Sequence, residues 1–489
     1  MTDVVITHSY FLKFDPKQWK AMQPYPPLGT LYAVSMLRQA NIPVHFFDTM
    51  FANAPDEIEA VLQQEKPSIF VIYDDCFNYL TKMCLSNMRY AAFDMIQLAK
   101  SYGCTVIVSS SDATDNIDLY IRQGADFVII GEGEITLKEL TAALVSDASG
   151  DCSTIEGIAY KTSENTVHHT PKRHVMHELD QIPMPAWDVI DIEEYKSRWI
   201  KKHGYFSLNM VTTRGCPYKC NWCAKPIYGN RYNTHSAGRI VAELEQLMHT
   251  FQPDHIWFSD DIFGLKPGWL KTFAALVEER KLTFTFKIQS RADLLVQEES
   301  VHALAKAGCT TVWIGTESGS QKILDAMDKG IALHQIYTAT RLLKKYRIAP
   351  CFFLQFGYPG ETYEDIESTI NLVTELLPED IGISVSYPLP GTKFYDNVKN
   401  ELKLKSNWVD SDDLDLMFKN TYMPGFYKRL HRYVHKTYRQ HQASFYVKNM
   451  LNTSDIRDPF YYKRIAALPY YFIMSGIEKY RMNKLKIPS

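Results

Sequence analysis

The chain reads as an α/β protein: a doubly wound parallel sheet, then a partial (β/α)6 TIM-like barrel, then a helical C-terminal extension. Three observations predict this. Short apolar, β-branched runs alternate with helical stretches from residue 4 to about 145. The same rhythm returns over 205–392. Beyond 393 the strand-like runs stop, and a basic, aromatic segment takes over. Strands alternating with helices imply parallel sheets built from crossover units.

In the first stretch the strands are expected at Val4–Thr7, Val44–Phe47, Ile69–Ile72, Thr105–Val108 and Phe127–Ile130. Helices are expected at Gly29–Gln39, Pro55–Gln64, Leu85–Ser101 and Asn116–Gln123. Ligands of such sheets bind beyond the carboxyl ends of the strands. Those ends carry His8-Ser9-Tyr10, Asp48-Thr49-Met50, Tyr73-Asp74-Asp75, Ser109-Ser110-Ser111-Asp112 and Gly131-Glu132-Gly133-Glu134. Residues 146–204 read as a small strand insert, Gly157–Tyr160 and Thr166–His168, and a proline-bearing linker around Pro183 and Pro185. The barrel strands are expected at Leu208–Thr212, His255–Ser259, Thr285–Gln289, Thr311–Gly315, Cys351–Phe356 and Ile381–Ser386. Their helices are expected at Ser236–Thr250, Trp269–Arg280, Glu298–Ala307, His334–Tyr346 and Thr362–Leu377. Barrel chemistry sits at strand carboxyl ends. The domains are therefore 1–145, the insert and linker 146–204, the barrel 205–392, and the extension 393–489.

Composition narrows the class. With 489 residues, two or three domains are expected. A hydrophobic share of 46% and a charged share of 22% are ordinary for a soluble globular chain. Met1-Thr2-Asp3 leads straight into strand-like Val4–Thr7, so no signal peptide is expected, and no apolar run reaches membrane-spanning length. Cysteines 76, 84, 104, 152, 309 and 351 are scattered singly, which argues for a reducing cytoplasm rather than a disulfide framework. Residues 418–489 carry 14 Lys and Arg against three acids, a net +11, which leaves −14 for the rest.

The remaining three cysteines form the most specific motif, Thr-Arg-Gly-Cys216-Pro-Tyr-Lys-Cys220-Asn-Trp-Cys223. A chance triple at this spacing is expected roughly 0.003 times per chain of this composition. Three thiolates are one fewer than a closed tetrahedral site needs. Half of a zinc site is the bland alternative; it would need a fourth ligand, for which His235 is the nearest downstream candidate. Iron–sulfur cubes take Cys thiolates, usually four, so three would leave one iron open.

This loop resembles that of the radical SAM enzymes, with the Arg214-Gly215 lead-in and Trp222 adding to the likeness. The resemblance implies a [4Fe–4S] cluster on Cys216, Cys220 and Cys223, its open iron chelating S-adenosylmethionine (SAM), and reductive cleavage of SAM to a 5′-deoxyadenosyl radical. It also assigns roles at the strand ends. Asp260 and Asp261 would meet the SAM amine; helix N-capping is the alternative. Arg291 would pair with the SAM carboxylate, a surface salt bridge being the alternative. Glu317 would accept from ribose hydroxyls, and the turns at Gly357 and Pro359 and at Pro388–Gly391 would flank the adenine.

The first domain resembles the cobalamin-binding, Rossmann-like domain that precedes many radical SAM domains. The likeness rests on Pro26-Pro27-Leu28-Gly29-Thr30-Leu31-Tyr32 and on Gly124–Glu134. It implies a corrin near Ser109, Ser110, Ser111, Gly131 and Glu132, where small residues let backbone approach closely. The Asp-x-His-x-x-Gly motif of other cobalamin enzymes is absent, which suggests cobalamin without a histidine ligand. The usual Gly-Gly-Pro-His reads Ser109-Ser110-Ser111-Asp112. Cys76, after the third strand, is weighed as a ligand to cobalt against the commoner buried free cysteine.

The two likenesses together imply a cobalamin-dependent radical SAM enzyme that methylates an unactivated carbon of a small-molecule, lipid-like or peptide substrate, through methylcobalamin and the deoxyadenosyl radical. Radical oxidation, cyclisation or rearrangement without methyl transfer is the alternative within the class. A non-catalytic metal-binding or partner-docking protein is the alternative outside it. An external electron donor such as flavodoxin or ferredoxin is implied, and no nucleic-acid partner is expected. Residues 393–450 read as helices packing their aromatics on the barrel and closing its site. Residues 460–486 combine apolar, aromatic and basic side chains, as peripheral membrane contact would require.

Overall fold

The computed structural model describes residues 3–79, 81, 85–146, 152–403, 405, 407–450 and 459–486; Cys84 lies outside them. The chain divides into two compact units. The first comprises Met1–Pro217, Lys225–Lys287 and Asn407–Asp413, and the second Tyr218–Ala224, Ile288–Ser406 and Leu414–Ser489.

The first unit begins with the predicted parallel sheet. Strands β1 (Val4–Thr7), β2 (Val44–Phe47), β3 (Ile69–Tyr73), β4 (Thr105–Ser109) and β5 (Phe127–Ile129) pair in parallel, in the order β2-β1-β3-β4-β5. Val4, Ile6, Val71 and Ile107 are fully buried, as central strands covered on both faces must be. The order reverses between β1 and β3, a topological switch point. There the Asp74 carboxylate accepts from both the amide and the hydroxyl of Ser9, at 2.7 and 2.9 Å. Asp75 accepts from the amides of Gly29 (3.1 Å) and Phe77 (3.0 Å). A Cβ on Gly29 would lie 3.1 Å from the Asp75 backbone, so the Pro-Pro-Leu-Gly segment needs its glycine for close approach.

The expected strand insert is part of this same sheet. Strands β6 (Ile158–Lys161) and β7 (Val167–His169) add antiparallel to β5, giving seven strands. Burial of Ile158 and Ala159, and the need to pair the open edge of β5, explain the addition.

Strands β8 (Ser207–Met210), β9 (Thr213–Arg214), β10 (Asn233–Thr234) and β11 (His255–Phe258) complete this unit, with the start of β12 (Thr285–Ser290). Its aromatic core includes Phe258, Phe273 and Phe286, and Trp269 stacks on Phe273 at 5.2 Å. The end of β12 opens the second unit, followed by β13 (Cys309–Glu317), β14 (Ala349–Phe356) and β15 (Asp380–Val385). The barrel sheet runs β15-β14-β13-β12-β11-β8, the six expected strands in sequential order.

The predicted helices fall at Ala237–Thr250, Trp269–Glu279, Glu298–Lys306, Leu333–Lys345 and Tyr363–Leu376. The last starts with a reciprocal cap between Thr362 and Asp365. In the extension, helix Pro424–Met450 buries Phe426, Leu430, Val434 and Tyr438, spaced four apart along one stripe. The Tyr438 hydroxyl donates to the carbonyls of Pro378 and Glu379, each at 2.7 Å, so this helix does pack its aromatics on the barrel half of its unit.

Candidate active site

In the first unit, the base of the cysteine loop is held as a scaffold. β9 and β10 pair antiparallel, Thr213 with Thr234 and Arg214 with Asn233, and pin the two ends of the loop together. Asp260, at the end of β11, is fully engaged. Its carboxylate accepts from the amides of Thr212 and Thr213, both at 2.7 Å, and from their hydroxyls at 2.8 and 2.9 Å. Burial raises its carboxyl from 3.8 to about 7 despite those bonds. Gly215 has φ +78°, and a Cβ there would lie 2.5 Å from the Arg231 carbonyl, so only glycine fits before Cys216. Asp261, by contrast, is exposed.

Arg214 is buried at 2% exposure and pairs with two carboxylates, Glu132 and, at 2.7 Å, Glu134. The rings of Tyr32, Phe77 and Tyr228 surround its guanidinium at 5.5–5.7 Å. Both acids come from the Gly-Glu-Gly-Glu segment after β5, so two motifs far apart in sequence are joined by one ion-pair cluster. Glu132 also accepts from the Met176 amide at 2.6 Å. Cys76 is buried and hydrogen-bonded to the Tyr228 hydroxyl at 2.9 Å, and burial pushes its thiol well up. Burial thus keeps this thiol in its neutral form.

Cys216, Cys220 and Cys223 are half-buried, and none is in a disulfide. Residues 218–224 belong to the second unit, where Arg291 lies against them. Arg291 is buried at 4% exposure and points Nη1 at the Cys220 sulfur, 3.8 Å away. Its other nitrogens donate to Asp293 (2.9 Å) and to the Lys329 carbonyl (2.8 Å), and its Cζ lies 3.7 Å from the Tyr218 ring centre. Arg291 therefore lies against a cysteine of the three-thiol loop, beside the place where the resemblance expects a SAM carboxylate. Among the described residues no three His, Cys, Asp or Glu side chains are drawn into metal-ligand geometry, His235 included. The Nδ1 of His235 instead meets Asp180 at 3.2 Å. Gathering of thiols normally comes with the metal, since metal binding and site folding are one event. The donor set, three thiols with one facing a guanidinium, fits an iron–sulfur cluster.

The strand ends of the second unit carry a signal that sequence reading missed. Thr316 Oγ1 on β13, Gln355 Oε1 on β14 and Ser386 Oγ just after β15 are buried without a hydrogen-bond partner. Buried polar atoms are almost always satisfied, so three orphans at neighbouring strand ends fit a polar ligand. A polar residue inside an apolar run, as Gln355 in Phe-Phe-Leu-Gln-Phe, was the available clue. Beside them Glu317 has φ 58° at a bulge against β14, and its carboxylate accepts from Lys329 at 2.7 Å. Lys329 was also missed, because only the fold brings it back to β13. Gly357 (φ 78°) donates its amide to Glu361 at 2.6 Å, and Pro359 follows, half-buried. Burial raises Glu361 from 4.5 to about 8.

At the carboxyl end of the N-terminal sheet, Ser109 ends β4, and Ser110 Oγ caps the next turn by accepting from the Ala113 amide at 2.8 Å. Ser111 Oγ is buried without a partner. Gly131 has φ +80°, and a Cβ on Gly133 would lie 2.8 Å from Ser109 Oγ. An orphan hydroxyl among small residues and backbone is a surface a flat polar-edged ligand such as a corrin fits.

Residues 210–373 match the model of the radical SAM superfamily. The chain is an enzyme with a radical SAM domain. It is 27% identical over 438 residues to an uncharacterized methyltransferase of Pyrococcus horikoshii, covering 88% of this chain and 90% of that one. It is 25% identical over 286 residues to an anaerobic magnesium-protoporphyrin IX monomethyl ester cyclase of Rubrivivax gelatinosus, covering 57% of this chain and 50% of that one. Its fold matches that of OxsB, a cobalamin-dependent SAM radical enzyme solved with aqua-cobalamin, with a TM-score of 0.75 at 16% identity over 98% of this chain and 72% of that one. It also matches TsrM from Kitasatospora setae, a radical SAM methyltransferase solved with cobalamin and a [4Fe–4S] cluster, with a TM-score of 0.66 at 18% identity over 82% and 75%.

Proposed function

We propose that this protein is a cobalamin-dependent radical SAM methyltransferase acting on an unactivated carbon of a small, lipid-like or peptide substrate. The observation that carries the reading is the three-thiol loop of the radical SAM domain, its base braced by Asp260 and the β9–β10 ribbon. Cys216, Cys220 and Cys223 would hold the [4Fe–4S] cluster. Asp261, Glu317, Gly357, Pro359 and the orphan groups of Thr316, Gln355 and Ser386 would meet SAM. Ser109, Ser110, Ser111 and Gly131 would line the cobalamin face. When bound, these groups supply reductive cleavage of SAM to a carbon radical and a transferable methyl group.

The chain's own residues bind, orient and insulate. Asp260 fixes the entry to the loop, so Cys216 is presented from a rigid base. Arg291 lies against the Cys220 sulfur and keeps its own direction through Asp293 and the Lys329 carbonyl. Asp260 keeps its place through four accepted hydrogen bonds, and the neighbouring Asp261, exposed, would meet the SAM amine. Glu132 serves Arg214, so it supports the cobalamin face by holding the backbone after β5. An external one-electron donor such as flavodoxin or ferredoxin and a reducing cytoplasm complete the reading. The cyclase relative favours a second reading within the class, ring closure or oxidation without methyl transfer.

Anaerobic reconstitution with iron, sulfide and hydroxocobalamin tests the proposal. It predicts about four irons and one cobalt per chain, with iron lost in the Cys216/Cys220/Cys223→Ala triple variant. Methyl transfer from labelled SAM to a substrate would favour the first reading, and SAM cleavage without it the second. Zinc in place of iron would overturn both.

A further inference from the structure

The outer face of the last helix is apolar where water should prefer polar side chains. Helix Leu468–Asn483 packs through Ser475, Glu478 and Met482, spaced three and four apart on one stripe and all buried. Ser475 donates to Gln440 at 2.7 Å, and Glu478 accepts from Arg429 of helix Pro424–Met450 at 3.1 Å. The opposite stripe is Tyr470, Ile473, Ile477 and Tyr480, again three and four apart, with Phe472 beside it. All five are exposed, Phe472 by 67%, Tyr480 by 62% and Ile473 by 59%. A surface helix ordinarily carries its apolar residues on the packed side only.

The charge around this stripe has one sign. Residues 459–486 contain six basic side chains and a single acid, Glu478. That acid faces inward and is paired with Arg429 and Arg481. Lys463, Lys479, Arg481, Lys484 and Lys486 are exposed, and the ammonium of Lys484 lies 4.6 Å from the Tyr480 ring centre. Among the described residues no helix is long and apolar enough to cross a membrane.

We propose that helix Leu468–Asn483 lies flat on the surface of an anionic lipid bilayer. Ile473, Ile477 and Phe472 enter the acyl boundary, Tyr470 and Tyr480 sit at headgroup depth, and the lysines reach lipid phosphates. The single sign of the charge decides against a second copy of the chain, since two such faces would oppose like charges. The aliphatic centre of the stripe decides against nucleic acid, because Ile473 and Ile477 neither stack on bases nor bond to phosphate. The proposal concerns this face alone and is independent of the reaction catalysed.

The test uses the full-length reconstituted protein in sedimentation with vesicles of phosphatidylcholine alone or mixed with phosphatidylglycerol. The expected result is binding to the mixed vesicles only, weakened by salt. Two variants should each weaken it by about tenfold or more: Phe472→Ser/Ile473→Ser/Ile477→Ser, and Lys479→Gln/Lys484→Gln/Lys486→Gln. Their melting temperature and SAM cleavage should match the parent. The charge variant and the salt dependence carry the test if the apolar variant folds poorly. Absence of vesicle binding, or binding unchanged in the charge variant, overturns the proposal. So does a dimer, seen by sedimentation velocity without lipid, that the substitutions abolish, or binding to single-stranded DNA in place of vesicles.

Discussion

The base of the cysteine loop and the strand ends of the second unit treat buried oxygens in opposite ways. At the loop base Arg214 faces two carboxylates, and Asp260 accepts four hydrogen bonds. At the strand ends Thr316, Gln355 and Ser386 each bury an oxygen with no partner. The first arrangement is scaffold: removing one member leaves the others buried and unsatisfied. The second leaves three oxygens unsatisfied, at a standing cost to the folded chain. The difference separates oxygens that brace the fold from oxygens that the fold leaves unsatisfied.

The largest effect should come from breaking the scaffold. Arg214→Met leaves Glu132 and Glu134 buried without their cation and should destabilise the fold by about 3–5 kcal/mol, read by denaturant unfolding. Equal stability in parent and variant would mean that the two acids find another partner or protonate freely. The strand ends should respond in the reverse sense. Thr316→Val with Ser386→Ala removes two orphan hydroxyls with little change of shape, so stability should stay level or rise by about 1 kcal/mol. Affinity for SAM, measured by calorimetry on the reconstituted protein, should nonetheless fall by about tenfold, the loss of roughly one hydrogen bond's discrimination. A destabilised double variant with unchanged SAM affinity would make these oxygens structural.

The smallest effect concerns Glu361. Burial lifts its carboxyl from 4.5 to about 8, so the folded chain keeps a proton that the unfolded chain releases. Its contribution to stability is whole below the unfolded value of 4.5 and drains away as pH rises through about 8. Glu361→Gln does not titrate and still accepts from the Gly357 amide. The variant should therefore gain on the parent by a few degrees in Tm between about pH 5 and about pH 8.5, and the gap should close in acid. A pH-independent gap would show that this carboxyl titrates normally.

Much of the architecture is legible in the sequence. Each of the eleven strands expected in the two sheets is present, displaced by no more than a few residues at its ends, because short, largely apolar runs recur regularly between helical stretches. The cysteine triple was legible for a different reason: its spacing is local, and local patterns survive in one dimension. The hairpin β6–β7 was seen as strands, but its place at the edge of the first sheet was not, since edge pairing depends on what β5 leaves open.

What the sequence by itself determined was the order of elements, the three thiols of one loop and the surplus of positive charge in the tail. Only the tertiary structure decided what each polar residue does. Adjacent Asp260 and Asp261 look alike in sequence, yet one is sealed against Thr212 and Thr213 and the other faces solvent. Glu132 reads in sequence as a ligand contact, and the fold pairs it with Arg214, 82 residues on. The physical reason is the same in each case. A side chain's role is set by the partner that satisfies it or fails to, and those partners are distant in sequence, so the choice exists only once the chain has folded.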